Sequence, residues 1–147
     1  MKPINLVYGS VYGSAHYVMS QLQKTLEAAG HCTQLLEQPQ PQQLNTECLL
    51  IVVTSTTGNG ELPTRLQPLL QQLEHSKKGL TGLHYALVAL GDSSYTHFCG
   101  GGRKLAQALD ACGAQALAPA LEIDANHCIN PEDEALPWIL KRIEEHA

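Results

Sequence analysis

The sequence predicts a doubly wound α/β fold, with parallel strands covered by helices on both faces. Apolar runs alternate with helical patterns along the chain, as strand–helix–strand units require. Two runs, Cys48–Val53 and Tyr85–Leu90, are apolar throughout instead of alternating with polar residues, as expected of central strands buried on both faces. The segments rich in glycine, hydroxyls and aromatics all follow strands, which is where such sheets bind ligands.

Each element has its own signal. Ile4–Tyr8 reads as a first strand. Ala15, Val18, Met19, Leu22, Leu26 and Ala29 recur at helical spacing, with Ser14 expected as N-cap and Gly30 as the stop. Cys32–Leu36 reads as a short second strand, and the polar, proline-bearing stretch Gln38–Gln43 as a connection within one domain. Cys48–Val53 is the third strand. Leu66, Leu69, Leu70 and Leu73 mark the next helix, with Pro63 near its first position. Tyr85–Leu90 is the fourth strand, and Leu105, Leu109 and Cys112 mark a helix ending near Gly113. Leu121–Ile123 sits in a fifth strand. Pro131 opens a last helix, where Glu132, Asp133 and Glu134 complement the dipole and Leu136, Ile139, Leu140 and Ile143 form the apolar face. Pro137 inside that pattern implies a kink or a later start, and Trp138 reads as a partly buried contact. Five strands and their helices in 147 residues amount to a single domain.

Composition narrows the function. The chain is 44% hydrophobic and 16% charged, as in an ordinary water-exposed globule, and no run reaches the roughly 18–20 apolar residues of a membrane span. No signal-peptide pattern follows Met1, so a cytoplasmic location is expected. A net charge of -5 and the lack of a basic stripe argue against nucleic-acid binding and favour basic partners. The five cysteines include no C-x-x-C pair and the seven histidines no H-x-x-x-H pair, which argues against disulfides and bound metal.

Three loops carry the chemistry. GSVYGSAH (Gly9–His16) joins the first strand to a helix N-terminus, where free N–H groups and the Ser10 and Ser14 hydroxyls suit an anion. It matches neither G-x-x-x-x-G-K-S/T nor G-x-G-x-x-G, and it holds no Lys or Arg, so a phosphate there would be bound by neutral donors. An ordinary turn remains the alternative. TSTTGNGELP (Thr54–Pro63) follows the third strand with four hydroxyls and two flexible glycines, Gly58 and Gly60. A tight turn capping the next helix is its plainer reading. ALGDSSYTHFCGGG (Ala89–Gly102) places Tyr95, His97 and Phe98 in an aromatic-poor chain, which suits either a flat ligand or a buried plug. His97 and Cys99, two apart on that loop, make a poor nucleophile pair.

In order and spacing, YGSVYGSA (Tyr8–Ala15), TSTTGNGELP and ALGDSSYTHFCGGG closely resemble the loops of flavodoxins. The resemblance spans nearly the whole chain and is strongest to the short bacterial flavodoxins of the YqcA and MioC type. The FMN domains of cytochrome P450 reductase and sulfite reductase are also similar. It implies strand order 2-1-3-4-5, three layers, and one FMN across the three loops. Ser10, Val11, Tyr12, Gly13, Ser14 and Ala15 would take the ribityl phosphate. Thr54, Ser55, Thr56, Thr57, Gly58, Asn59 and Gly60 would line one side of the isoalloxazine. Leu90, Gly91, Asp92, Ser93, Tyr95, His97, Phe98 and Cys99 would line the other, with Tyr95 stacked on the ring. Ala15 stands where many relatives place a Thr, Tyr12 replaces a small hydroxyl residue, and Thr57 replaces an inner aromatic.

The resemblance implies a low-potential carrier that passes single electrons between a reductase and redox enzymes. A flipped Gly58 carbonyl would accept the N5 proton of the semiquinone. Glu61, Asp92, Asp124, Glu132 and Asp133 would form an acidic rim for basic docking surfaces on a monomer. The competing readings are an NAD(P)H-dependent FMN or quinone reductase, a response-regulator-like phosphoacceptor, and a cofactor-free interaction module. The second needs an Asp after the third strand, where Thr54-Ser55 stands.

Overall fold

The computed structural model describes residues 2–76 and 79–146. Its elements are β1 (Ile4–Gly9), α1 (Ser14–Ala28), β2 (Thr33–Leu35), β3 (Leu49–Thr54), α2 (Gln67–Ser76), β4 (His84–Gly91), α3 (Gly100–Ala111), β5 (Gln115–Ala116), β6 (Leu121–Asp124) and α4 (Pro131–His146). The sheet is parallel in the order β2-β1-β3-β4-β5, with β6 also on β4, so the flavodoxin-like order 2-1-3-4-5 is observed.

The central strands pair along their full length, from Ile4↔Leu49 to Gly9↔Thr54 and from Leu49↔His84 to Thr54↔Ala89. Every residue of β3 is buried, as its unbroken apolar run requires. Alternate side chains feed two cores. Val7, Leu50, Val52 and Leu87 meet Leu66, Leu69, Leu73, Leu105 and Leu109 on one face. Ile4, Leu6, Ile51 and Val88 meet Val18, Met19, Leu22, Leu26, Ile139 and Ile143 on the other. Each such side chain contributes about 1.5–3 kcal/mol relative to exposure.

Several boundaries differ from the sequence expectations. The fifth strand is split: the Leu117 N–H still donates to the Tyr85 carbonyl of β4, then Ala118–Ala120 interrupts the pairing, and Pro119 has no N–H to donate. Gly13, not Ser14, is the N-cap of α1, and its φ of 96° turns the chain sharply into the helix. Pro63 precedes a single 3-10 turn, Thr64–Leu66, before α2 begins. Helix α4 starts at Pro131 and continues through Pro137 to His146. Gly30 does end α1: its φ is 93°, and the His31 N–H donates to the Leu26 carbonyl. Trp138 is half-buried against the core, with the Arg142 guanidinium 5.5 Å from its ring.

Candidate functional site

The carboxyl ends of β1, β3 and β4 and the loop after β6 enclose a cavity of about 240 Å³. Val11, Tyr12 and Ser14 line it from the first loop and Ser55, Thr56 and Thr57 from the second. Gly91, Asp92, Tyr95, His97, Phe98 and Cys99 come from the third, and Ala125 from beyond β6. A larger cleft of about 820 Å³ lies elsewhere, between the residues after β2 and the start of α2, and contains none of the loop residues singled out in the sequence. Convergent chemistry rather than size therefore marks the site.

The first loop delivers an uncapped helix. The Gly13 N–H donates to Ser10 Oγ over 2.7 Å, which braces the turn. No side chain caps α1 and no acid sits in its first turn, so its leading N–H groups keep their partial positive charge. Tyr12 stands 96% exposed at the loop tip, while Ala15 is fully buried in the core.

The second loop is a built turn. The Gly60 N–H donates to the Thr57 carbonyl over 2.9 Å, the Thr57 N–H to the Glu61 carbonyl over 2.9 Å, and the Glu61 N–H to Thr57 Oγ1 over 3.1 Å. Within this turn Gly60 alone has positive φ, 79°. Gly58 and Asn59 both keep negative φ, so the turn is of type I character. A Cβ at Gly60 would overlap His97, and one at Gly100 would lie 2.9 Å from the Gly60 carbonyl. The second loop and the start of α3 thus close together only because both positions are glycine. Thr54 is buried, and its hydroxyl donates to the Ser55 carbonyl over 3.0 Å, so it braces the strand end outside the cavity. The Thr56 hydroxyl is buried with no hydrogen-bond partner.

The third loop presents Tyr95 at 57% exposure, Phe98 half-buried against the core, and Cys99 fully buried as the N-cap of α3. Burial pushes the Cys99 thiol up to about 12, with Glu122 adding to the effect, and the thiol approaches the Ala89 carbonyl at 3.5 Å. Burial thus disfavours the thiolate, the nucleophilic form of the side chain.

Two acids expected on the rim are engaged. Asp92 Oδ1 accepts from the Ser94 N–H at 2.8 Å and from Asn126 Nδ2 at 2.7 Å. Asp124 Oδ1 accepts from the N–H groups of Ser93 and Asn126, both at 3.0 Å. Hydrogen bonds led by the Ser94 hydroxyl hold the Asp92 carboxyl below the usual carboxylate range, and those led by the Ser93 hydroxyl do the same for Asp124. Glu61 pairs with Lys104 at 2.9 Å, which offsets its charge, whereas Glu132 and Asp133 stand on the first turn of α4.

Of the residues singled out in the sequence, the cavity collects those named above. It leaves Ser10, Gly13, Ala15, Thr54, Gly58, Asn59, Gly60, Leu90 and Ser93 behind or beside it. Ala125 and Asn126 carried no local sequence signal.

The donor set suits a flat ring bearing a phosphate. Tyr95 and the hydroxyl-bearing residues Ser55, Thr56 and Thr57 line one cavity, the Thr56 hydroxyl buried and unpartnered, and no Lys or Arg lines it beside the uncapped helix. Among the described residues no group of three or more His, Cys, Asp or Glu is arranged to hold a metal, and no helix is long and apolar enough to cross a membrane.

The family model described as Flavodoxin matches residues 6–138. The chain is 37% identical over 144 residues to Flavodoxin YqcA of Escherichia coli, covering 95% of each. It is 33% identical over 139 residues to Protein MioC of Escherichia coli, again covering 95% of each. Among solved structures, a cysteine-to-serine mutant of flavodoxin from Pseudomonas aeruginosa matches with a TM-score of 0.84 and 37% identity over 95% of both chains. Oxidised Flavodoxin 1 from Bacillus cereus matches with a TM-score of 0.83 at 16% identity, a likeness of fold alone.

Proposed function

The chain belongs to the flavodoxin family, and from that premise we propose that it binds FMN across its three carboxyl-edge loops and carries single electrons between a reductase and acceptor redox enzymes. The observation that carries this reading is the cavity that gathers Tyr95 with Ser55, Thr56 and Thr57, with the Thr56 hydroxyl buried and unpartnered. Bound FMN supplies the redox chemistry; the chain supplies binding, orientation and electrostatics.

Residues 10–15 bind the phosphate through backbone N–H groups and the Ser10 and Ser14 hydroxyls. Residues 54–60 would border one side of the ring and residues 90–99 the other, with Tyr95 the side chain that would stack on it. The Gly58 carbonyl would accept a hydrogen bond from a protonated ring-edge nitrogen. Turning the Gly58–Asn59 peptide toward that proton changes ψ at Gly58 and carries φ at Asn59 from negative to positive, as in a type I to type II turn change. Asn tolerates positive φ better than other side chains, so this pair of residues permits the change at low cost. Asp92 and Asp124, held ionised beside the site, disfavour further negative charge on the ring. That opposition separates the two electron steps.

The docking surface is the acidic margin from Asp92 and Asp124 to Glu132 and Asp133, and it suits a basic partner. The whole chain acts as one cytoplasmic, monomeric domain. The test is titration of FMN into the protein without cofactor, followed by stopped-flow mixing with NADPH. Stoichiometric binding and no reduction until a reductase is added supports a carrier. Direct reduction by NADPH alone makes the protein an enzyme, and absence of FMN binding makes it an interaction module. Electron transfer from a basic reductase should slow between 10 and 100 mM salt, where the Debye length falls from about 30 to about 10 Å. A salt-independent rate contradicts the acidic docking surface.

A further inference from the structure

We propose that Asn126, outside the three loops, is a positioning residue that sets the place of Tyr95 and through it the grip on the flavin face; this rests on the reading of the cavity as an FMN site. Tyr95 is 57% exposed, so packing does not fix it. What fixes its backbone is the turn Asp92–Tyr95, closed by the Tyr95 N–H donating to the Asp92 carbonyl over 3.0 Å. That turn is in turn held from across the sheet edge. Asn126 Nδ2 lies 2.7 Å from Asp92 Oδ1, 3.1 Å from Ser93 Oγ and 3.0 Å from Ser94 Oγ. An amide has two N–H groups, so these three acceptors share them, and the carboxylate makes the strongest of the bonds. The Ser93 N–H donates to Asp124 over 3.0 Å, and the Ala125 N–H donates to the Gly91 carbonyl over 2.8 Å. The β4–β6 ladder ends at Gly91↔Asp124. Beyond that point the clasp continues the pairing with side chains, where the two loops would otherwise separate into solvent. Asp92 and Asp124 therefore act as acceptors that receive the clasp as well as surface charges.

The clasp fastens the turn that carries Tyr95, so its loss should weaken contact with the ring. The test is a double-mutant cycle in the full chain, with Asn126→Ala and Tyr95→Ala made singly and together and FMN affinity read by fluorescence titration. Asn126→Ala is expected to raise the FMN dissociation constant about 5- to 10-fold when Tyr95 is present, and less than about 2-fold when Tyr95 is already Ala. It should also reduce the quenching of bound FMN fluorescence. Asn126→Asp, nearly the same shape, places a third carboxylate beside Asp92 and Asp124. It should weaken binding more at pH 7 than at pH 5, whereas a role in volume alone predicts no such pH dependence. Equal losses with and without Tyr95, or no loss with Tyr95 present, overturn the proposal. If the unaltered protein fails to bind FMN, the function reading falls and the clasp is judged alone by hydrogen exchange at Ser93 in the protein without cofactor. Faster exchange in Asn126→Ala then supports the clasp, and unchanged exchange overturns it.

Discussion

Replacing Thr56 with Val should move stability and cofactor affinity in opposite directions. The two side chains share a branched shape, and the change removes only the hydroxyl. That hydroxyl is buried and has no partner in the protein alone. Burying an unsatisfied hydroxyl costs about 1–3 kcal/mol in proteins. Thr56→Val relieves that cost, so the FMN-free variant should be more stable by about 1–3 kcal/mol, and its Tm should rise about 2–4 °C for each kcal/mol. In the unaltered protein, bound FMN would relieve the same cost by giving the hydroxyl a partner. The variant loses that gain, so its affinity should fall by a comparable amount, about 5- to 150-fold. Urea unfolding of the FMN-free protein measures the first effect and fluorescence titration with FMN the second. A variant less stable without FMN, or one that binds FMN as tightly as before, would refute the assignment of Thr56 to the cofactor.

Three further outcomes follow from the geometry. Gly60→Ala forces a non-glycine residue to φ 79° and drives a Cβ into His97, so it should cost at least about 1–2 kcal/mol in urea unfolding and weaken FMN binding. Asn59→Val penalises positive φ where the turning peptide requires it, by about 1–2 kcal/mol, so the potential of the first one-electron step should fall by about 40–90 mV in a spectroelectrochemical titration. Burial raises the Cys99 thiol to about 12 and, with Asp110, raises the Tyr85 phenol as well. Both are acids whose neutral form is favoured by folding, so the unfolded chain loses these protons first. The stability they contribute is intact below the ordinary thiol value of about 8.5 and is lost as pH rises toward 12, so urea unfolding should show a less stable protein at pH 10.5 than at pH 7.5.

The parts of this molecule that rest on local pattern were legible in the sequence. The unbroken runs Cys48–Val53 and Tyr85–Leu90 are the central strands β3 and β4, displaced by one residue at their ends. The three loops follow β1, β3 and β4 as their composition implied. What was not legible depends on long-range contact. Asn126 reaches Asp92 across 34 positions, and neither neighbour of Asn126 marks it as special. The Glu61–Lys104 pair spans 43 positions, so no local pattern shows that Lys104 offsets a charge expected on the acidic rim. The split of the last strand has no sequence signal, because Gln115–Ala116 is too short to show a period. Gly13 displaced Ser14 as the cap because the left-handed turn into α1 favours glycine, which outweighed the hydroxyl preference of an ordinary N-cap.

The central claim, a chain that holds FMN and moves electrons singly, is tested most directly by anaerobic reductive titration of the FMN-loaded protein, counting electrons from the visible spectrum. Two separate one-electron steps with a spectrally distinct species between them are predicted. A single two-electron step, with no such species at any stage, would contradict the account.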